Sequence, residues 1–216
     1  LYLVVALVLT MGRRVIPFFI ERGVGYPVSL YNAGWLDLAS LVLFVGFFVV
    51  ETFLDQPGTG AALAALLFLL TAARLTGWHT RGIWRKPLLW SLYLSICFID
   101  LGFLLHALAP AAGLSPFIAI HAFTVGGIGL VTLSMMARVS LGHTGRNVNA
   151  PPRSVAAAFG LLVGSALVRI GGPLFDPGHY TAWIFVSQTF WIAAFAVFLV
   201  VFLPMLTRPR LDGQPG

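Results

Sequence analysis

The chain alternates between long apolar runs and short polar connections. Six runs are long enough to cross a bilayer, and they occupy 33–50, 60–75, 87–109, 114–137, 155–170 and 180–206. A transmembrane helix needs about 20 mostly apolar residues, because the hydrocarbon core is about 30 Å thick. The connections carry the Gly and Pro residues that end helices. The pattern predicts an all-α fold, a polytopic bundle of transmembrane helices.

A shorter apolar run begins at Leu1 and ends at Met11. As a helix it would rise only about 16 Å, which is about half of a bilayer. Pro17 is expected to break the helix beyond it. Because the first residue is Leu rather than Met, we expect six complete spans and a truncated first one. Residues 1–216 are then a single transmembrane domain, the C-terminal half of a longer protein.

Composition excludes a soluble domain. Hydrophobic residues make up 59% of the chain and charged residues only 9%, with a mean hydropathy of +0.94, whereas soluble domains carry roughly 25% charged residues. The single cysteine, Cys97, excludes a disulfide framework within the chain. The net charge of +6 does not indicate nucleic acid, because the basic residues lie between apolar runs rather than on one polar face. The lipid bilayer is the expected environment.

Basic residues collect in alternate connections, as they do in cytoplasmic loops of membrane proteins. The other connections hold Glu51 and Asp55, then no charge, then Asp176, and only Arg169 departs from the pattern. We therefore predict a cytoplasmic C-terminus. The residues of the basic side are Arg13, Arg14, Arg22, Arg74, Arg81, Arg85, Lys86, Arg138, Arg146, Arg153, Arg208 and Arg210.

Ionisable groups inside a span are costly, so each is a candidate functional residue. Asp100 lies near the middle of its run, with Tyr93 and Cys97 on the same helical face. On the next run, His121 begins a face that also carries Thr124, Ile128, Thr132 and Met135. Asp100 is about 14 Å and His121 about 10 Å from their shared connection at 1.5 Å per residue. If the two faces meet, Asp100 orients the His121 imidazole or relays protons, together with Tyr93.

For His121 we weigh ligation of haem or copper against a hydrogen-bonded structural role. A second group follows at the opposite membrane face, where Met135, Met136, Arg138 and His143 are joined by His79 from a neighbouring connection. Histidine and methionine suit haem iron or Cu(I). The alternatives are that Arg138 complements a helix dipole and that the methionines fill the core. His106, near the other interface, is a weaker candidate metal ligand.

Arg13 and Arg14 lie beside Pro17 at the expected headgroup level. Paired arginines there would clamp the propionates of a haem, or they would only anchor the helix at the inner interface. The sequence has no Cys-x-x-Cys-His attachment site, no phosphate-binding Gly-rich loop and no His-Glu-x-x-His helix. A haem in this protein would therefore be bound non-covalently.

Three segments carry a resemblance to a known family: Gly12-Arg-Arg-Val-Ile-Pro-Phe-Phe19, Arg85-Lys-Pro-Leu-Leu-Trp90, and the stretch from His121-Ala-Phe-Thr-Val-Gly-Gly-Ile-Gly129 through Met135-Met136 to Arg146. Together they resemble the NnrS family, over essentially the whole chain. The resemblance implies the C-terminal half of a bacterial inner-membrane protein with about twelve membrane helices. The family's N-terminal half, with its own histidine-rich motif, would then be a partner that completes the protein.

The resemblance also implies a haem- and copper-containing protein associated with denitrification and with resistance to nitric oxide and nitrosative stress. The positions that match the family motifs are Arg13, His121, Met135, Met136, Arg138, His143 and Arg146. Tyr93 departs from the pattern, because relatives often carry histidine at that position.

The expected function is haem and copper binding in the nitric oxide response, with nitric oxide as a ligand that is bound or reduced. Whether the protein is an enzyme stays open, since spacing does not reveal an open coordination position. A proton-coupled transporter or metal exporter that uses Asp100 and the histidines is the alternative. A structural subunit whose buried polar groups serve only assembly is the third hypothesis.

Overall fold

The computed structural model describes residues 1–54, 56–211 and 213. These residues form helices and connections without any strand, and seven helices are long and apolar enough to cross a membrane. The predicted all-α membrane fold is confirmed. The helices are α1 (Tyr2–Gly23), α2 (Gly34–Phe53), α3 (Pro57–Trp78), α4 (Pro87–Ala112), α5 (Pro116–His143), α6 (Arg153–Phe175) and α7 (Tyr180–Leu206).

The first helix is longer than the predicted apolar run, and the expected break at Pro17 is wrong. Helix α1 continues through Pro17 to Gly23. Pro17 has no N–H to donate to the carbonyl of Arg13, four residues earlier. That carbonyl instead accepts a hydrogen bond from Asn32 Nδ2 at 3.5 Å. Because a side chain from the following connection replaces the missing donor, the helix continues without an unsatisfied group.

Helix α4 occupies the centre of the bundle. Of its most apolar stretch 72% is buried by other helices, against 17% for the outer helix α7. It packs against α1, α3, α5 and α6, which together remove it from lipid. Asp100 lies near the middle of this central helix.

The bundle has two ends that differ in charge. At the Glu51 end, the start of α1 meets the end of α2 and the end of α4 through Tyr2, Glu51 and His106. At the Arg74 end lie the end of α3, the start of α4 and the basic connection between them. Asp55, which was predicted to add negative charge to the Glu51 end, lies outside the described residues.

Helix α5 has an irregular middle that the sequence pattern did not predict. Residues Ala122–Gly129 form a π-helix between two α-helical segments. Gly126 and Gly127 let this segment approach α4 closely: a Cβ on Gly126 would lie 2.3 Å from the Phe98 ring, and one on Gly127 would lie 2.6 Å from Ile99. π-Helical turns occur often at functional sites. This one begins immediately after His121.

Helices α6 and α7 form a closely packed antiparallel pair. Ser165 Oγ donates to the Ser187 carbonyl at 2.8 Å, and Ser187 Oγ donates to the Ser165 carbonyl at 2.9 Å. Both serines are buried. Such reciprocal bonds satisfy hydroxyl groups that have no water in the bilayer core and fix the register of the two helices.

Candidate functional site

The polar side chains of the bundle fall into separate clusters rather than one centre. Among the described residues there is no group of three or more His, Cys, Asp or Glu side chains that could hold a metal ion. The histidines in particular are distributed over both ends of the bundle. A metal site made from the described residues would therefore use other donors, or at most two of these side chains.

An ion triad joins three helices near the Arg74 end. Arg13 Nη1 of α1 lies 2.8 Å from Asp37 Oδ2 of α2, and Arg74 Nη2 of α3 lies 3.2 Å from Asp37 Oδ1. Arg74 Nη2 also donates to the Leu36 carbonyl and to Ser40 Oγ, each at 3.1 Å. Two guanidinium groups thus share one carboxylate within the membrane-spanning part of the bundle.

The triad lines a small cavity of about 50 Å³ whose walls also include Ser40 and Thr71. Arg74 is only 5% exposed. In the described structure, the Nε atoms of Arg13 and Arg74 are buried without a hydrogen-bond acceptor. A buried donor left unpaired costs about 1–3 kcal/mol, and more when it is charged. One wall of the cavity therefore carries a net positive charge with incompletely satisfied hydrogen bonds, while apolar side chains such as Leu41 and Leu67 form the rest.

A second cluster lies at the Glu51 end. Glu51 Oε1 is 3.1 Å from His106 Nε2, and the Tyr2 hydroxyl donates to Glu51 Oε2 at 3.4 Å. His106 packs edge-on against Phe47, with ring centroids 5.1 Å apart. The pair lines an open cleft of about 450 Å³. His106 therefore has a carboxylate partner, which the sequence did not indicate.

His121 and Asp100 do not meet in the structure. His121 lines an open cleft of about 540 Å³ together with Pro173 of α6 and Tyr180 of α7. Asp100 is 7% exposed, and its Oδ1 is buried without a hydrogen-bond partner in the part of the chain that the structure describes. No hydrogen bond or ion pair joins the described atoms of Asp100 and His121. The π-helix Ala122–Gly129 follows His121 and shifts the helical phase of α5. His121 therefore borders a different surface from Thr132 and Met135, although the three were predicted to share one face.

The part of the predicted α5 face that follows the π-helix borders a different surface. Thr132, Met135 and Met136 border an apolar groove of about 420 Å³ between α5 and α1, and Met11 and Gly12 border it from α1. Three thioethers thus lie around one groove. Met135 and Met136 were predicted as candidate ligands from their sequence position, whereas Met11 was not.

His79 and Tyr93 belong to an aromatic cluster at the Arg74 end. Trp84 Nε1 donates to His79 Nε2 at 3.2 Å, and the His79 and Tyr93 rings lie 6.0 Å apart. The Tyr93 hydroxyl donates to the Leu75 carbonyl at 3.0 Å, so Tyr93 faces α3. In the adjoining connection, hydrogen bonds from Thr80 and the Gly82 backbone lower the pKa of Tyr26. Through these contacts the cluster packs the connection between α3 and α4 against the start of α4 and against the connection between α1 and α2.

The remaining predicted residues lie apart from these clusters. The Arg138 guanidinium lies 3.6 Å from the centroid of the Phe19 ring, a close cation–π contact that ties α5 to α1. Arg14 and His143 are exposed. The described contacts of Arg13 are with Asp37 rather than with Arg14 or Arg138.

Comparison with known families decides the identity of the chain. A family model described as NnrS protein matches residues 1–210. The chain belongs to the NnrS family. The resemblance seen in the sequence is thereby confirmed, and membership suggests a protein of the nitric oxide response. Neither the comparison with curated proteins nor that with solved structures gives a match.

Four of the motif positions of this NnrS protein lie in three separate places. His121 borders the cleft between α5, α6 and α7, Met135 and Met136 border the groove beside α1, and Arg13 belongs to the ion triad. Their roles as ligands of haem or copper stay predictions. The structure adds the residues that surround each candidate ligand.

Asp37 and Arg74 were missed as site residues. Both lie inside predicted apolar runs, at 33–50 and 60–75, where a charged residue is unfavourable unless it is paired. Arg74 was instead counted among the basic residues of a connection. A charged residue inside an apolar run was visible for Asp37 and for Arg74 separately, but nothing in the sequence indicated that the two charges meet.

Proposed function

We propose that this NnrS protein is a haem- and copper-binding membrane protein that binds nitric oxide. The observation that carries the proposal is the family match over residues 1–210. The resemblance implies both cofactors, and the donors present on the bundle decide where they would fit. Haem iron bound in a membrane protein supplies a coordination position for nitric oxide.

For haem, we propose His121 as the protein ligand. Its cleft of about 540 Å³ is bordered by apolar and aromatic side chains such as Phe117, Ile118 and Tyr180. Small-molecule and cofactor sites commonly measure about 300–1,000 Å³ and have mostly apolar walls. An imidazole at the edge of such a cleft fits the requirements of haem. Asp100 does not orient it, because no hydrogen bond joins the two side chains among the described residues.

For copper, we propose the thioethers of Met11, Met135 and Met136. Soft thioether ligands favour Cu(I), and the groove that these side chains border is apolar. The exposed His143 and the carboxylate-paired His106 are weaker donors here, because neither borders this groove. Separate haem and copper sites, one beside α6 and α7 and the other beside α1, are consistent with the absence of a histidine cluster among the described residues.

The test is an optical spectrum with metal analysis of the full-length protein, titrated with nitric oxide. We expect a haem Soret band that shifts on addition of nitric oxide, and bound copper. His121→Ala should lose most of the haem and keep copper, whereas the double change Met135→Leu and Met136→Leu should do the reverse. His179→Ala is the matched control, because His179 is exposed and its side-chain hydrogen bonds within the described structure are to Asp176. Full haem and copper content in every variant would contradict the proposed ligands.

One observation favours a second function, proton-coupled transport. Asp100 is a carboxylate near the middle of the central helix without a partner for Oδ1 among the described residues. Intramembrane carboxylates of this kind mark proton paths. If transport is the function, vesicles containing the full-length protein should take up a metal ion or protons, and Asp100→Asn should abolish that uptake. Uptake that is equal with and without the protein would exclude this function.

A further inference from the structure

The ion triad carries an excess of positive charge inside the membrane-spanning bundle. Arg13 and Arg74 contribute two guanidinium groups, and Asp37 contributes one carboxylate, at 2.8 and 3.2 Å. The formal charge of the triad is therefore one positive unit. Ionised groups in a bilayer are normally neutralised by partners or by ions. The triad is short of one negative charge.

The cavity beside the triad is the place where a neutralising anion would bind. Arg13, Asp37 and Arg74 all border the same cavity, and Ser40 and Thr71 add hydroxyl groups to its wall. The Arg74 side chain is 6% exposed, and its Nε, like that of Arg13, is buried without an acceptor in the described structure. Asp37 contacts the Nη atoms rather than the Nε atoms of the two arginines. Its Oδ1 lies 3.2 Å from Arg74 Nη2 but has no hydrogen-bond partner in the described structure, so the carboxylate borders the cavity as a competing negative charge. The two Nε atoms and the two hydroxyl groups are thus hydrogen-bond donors for a small anion in the cavity.

The size of the cavity limits what it can hold. Its volume of about 50 Å³ accommodates a few water molecules or one small ion. A phospholipid headgroup or a haem propionate with its attached ring needs much more space at the same depth. Divalent anions such as sulfate would also exceed the charge that is missing.

We infer that the cavity between Arg13, Asp37 and Arg74 binds one small monovalent inorganic anion, either a halide such as chloride or a planar oxyanion such as nitrate or nitrite. The anion completes the pairing of both guanidinium groups and joins α1, α2 and α3 at this level of the bundle. The inference goes beyond haem and copper binding and does not depend on it.

Equilibrium dialysis of radioactive chloride against the purified full-length protein in detergent tests this site, with gluconate holding the ionic strength constant. We expect saturable binding that nitrate and nitrite displace and that sulfate does not. The order of displacement by chloride, nitrate and nitrite identifies which class the site prefers. The inference would be overturned if none of chloride, nitrate and nitrite showed saturable binding in this dialysis.

Variants separate the site from general effects of charge. Arg74→Gln should weaken binding by about ten-fold or more, because it removes a donor and a positive charge. Asp37→Asn should tighten binding, because it removes the competing carboxylate, and it keeps the test decisive if Arg74→Gln does not fold. Arg22→Gln is the matched control: it removes the same charge from an exposed position on α1, the helix that carries Arg13. Equal weakening by Arg22→Gln and Arg74→Gln, or weaker binding in Asp37→Asn, would overturn the inference.

Discussion

Single side chains in this bundle derive their roles from the helix that they face. Arg138 illustrates the point, because its position near the end of α5 suggested either a place in the cofactor-binding group with His143 or a helix-dipole partner. The structure instead puts its guanidinium 3.6 Å from the Phe19 ring centroid, with α1 packed against it. A cation held over an aromatic face at a partly desolvated position contributes more than one in water.

This contact gives the residue-scale prediction. Phe19→Leu should lower the free energy of unfolding by about 1–2 kcal/mol, because it removes the cation–π contact and part of the ring's packing. Unfolding of the full-length protein by SDS in mixed micelles measures the difference. Phe185→Leu is the control, since that ring is 71% exposed. If both variants lose the same stability, the contact between Arg138 and Phe19 contributes nothing specific.

Asp100 and His121 show what spacing could predict and what it could not at the residue scale. Each was identified as an ionisable group inside a span, and both lie inside helices α4 and α5. Their approach was argued from depth alone. Depth does not determine the rotation of a helix, and the contacts of His121 lie towards Pro173 and Tyr180 instead.

Elements were predicted well where hydrophobicity decides and poorly where hydrogen bonding decides. All seven helices correspond to apolar runs, because lipid forces the backbone to bond within each segment. The π-helix Ala122–Gly129 was not predicted, since an i to i+5 bond leaves no hydropathy signal. The uninterrupted course of α1 past Pro17 likewise depends on Asn32, a residue outside that helix.

The crossing of α4 and the π-helix gives the element-scale prediction. Gly126→Ala adds a methyl group that would lie 2.3 Å from the Phe98 ring, so the helices must separate. Overpacking of this kind costs about 1–3 kcal/mol. The loss should appear as a lower unfolding temperature of the full-length protein in detergent.

Gly160→Ala provides the matched control for that experiment. Gly160 lies in α6, and nothing is within 4 Å of a Cβ built on it. Alanine favours the helix over glycine, so this variant should be unchanged or slightly more stable. A destabilisation equal to that of Gly126→Ala would show that the close crossing is not the cause.

At the scale of the whole molecule, the arrangement of charge is the property that the sequence predicted only in part. The alternation of basic and acidic connections was evident along the chain, and in the described structure the two kinds of connection lie at opposite ends of the bundle. The meeting of Arg13, Asp37 and Arg74 was not evident, because it depends on the packing of three helices. Long-range contacts of this kind need the rotation of each helix, which a periodic pattern fixes only loosely.

The same charge arrangement predicts the orientation of the bundle. Exposed Arg14, Arg22 and Arg85 belong to the Arg74 end, whereas Glu51 and Asp176 belong to the opposite end. Positive residues near the ends of spans are retained on the cytoplasmic side. The Arg74 end and the exposed Thr207 after α7 should therefore face the cytoplasm, and the exposed Gly178 should face the periplasm.

Single cysteines in the full-length protein test this orientation, after Cys97→Ala and removal of any other native cysteine. A membrane-impermeant maleimide added to intact cells with a permeable outer membrane should label Gly178→Cys and leave Thr207→Cys unlabelled. Lysis before labelling should make both cysteines reactive, which controls for their accessibility. Since the two positions lie at opposite ends of α7, labelling of Thr207→Cys alone in intact cells would reverse the orientation. It would also mean that charges elsewhere in the full-length protein outweigh the positive residues of the Arg74 end.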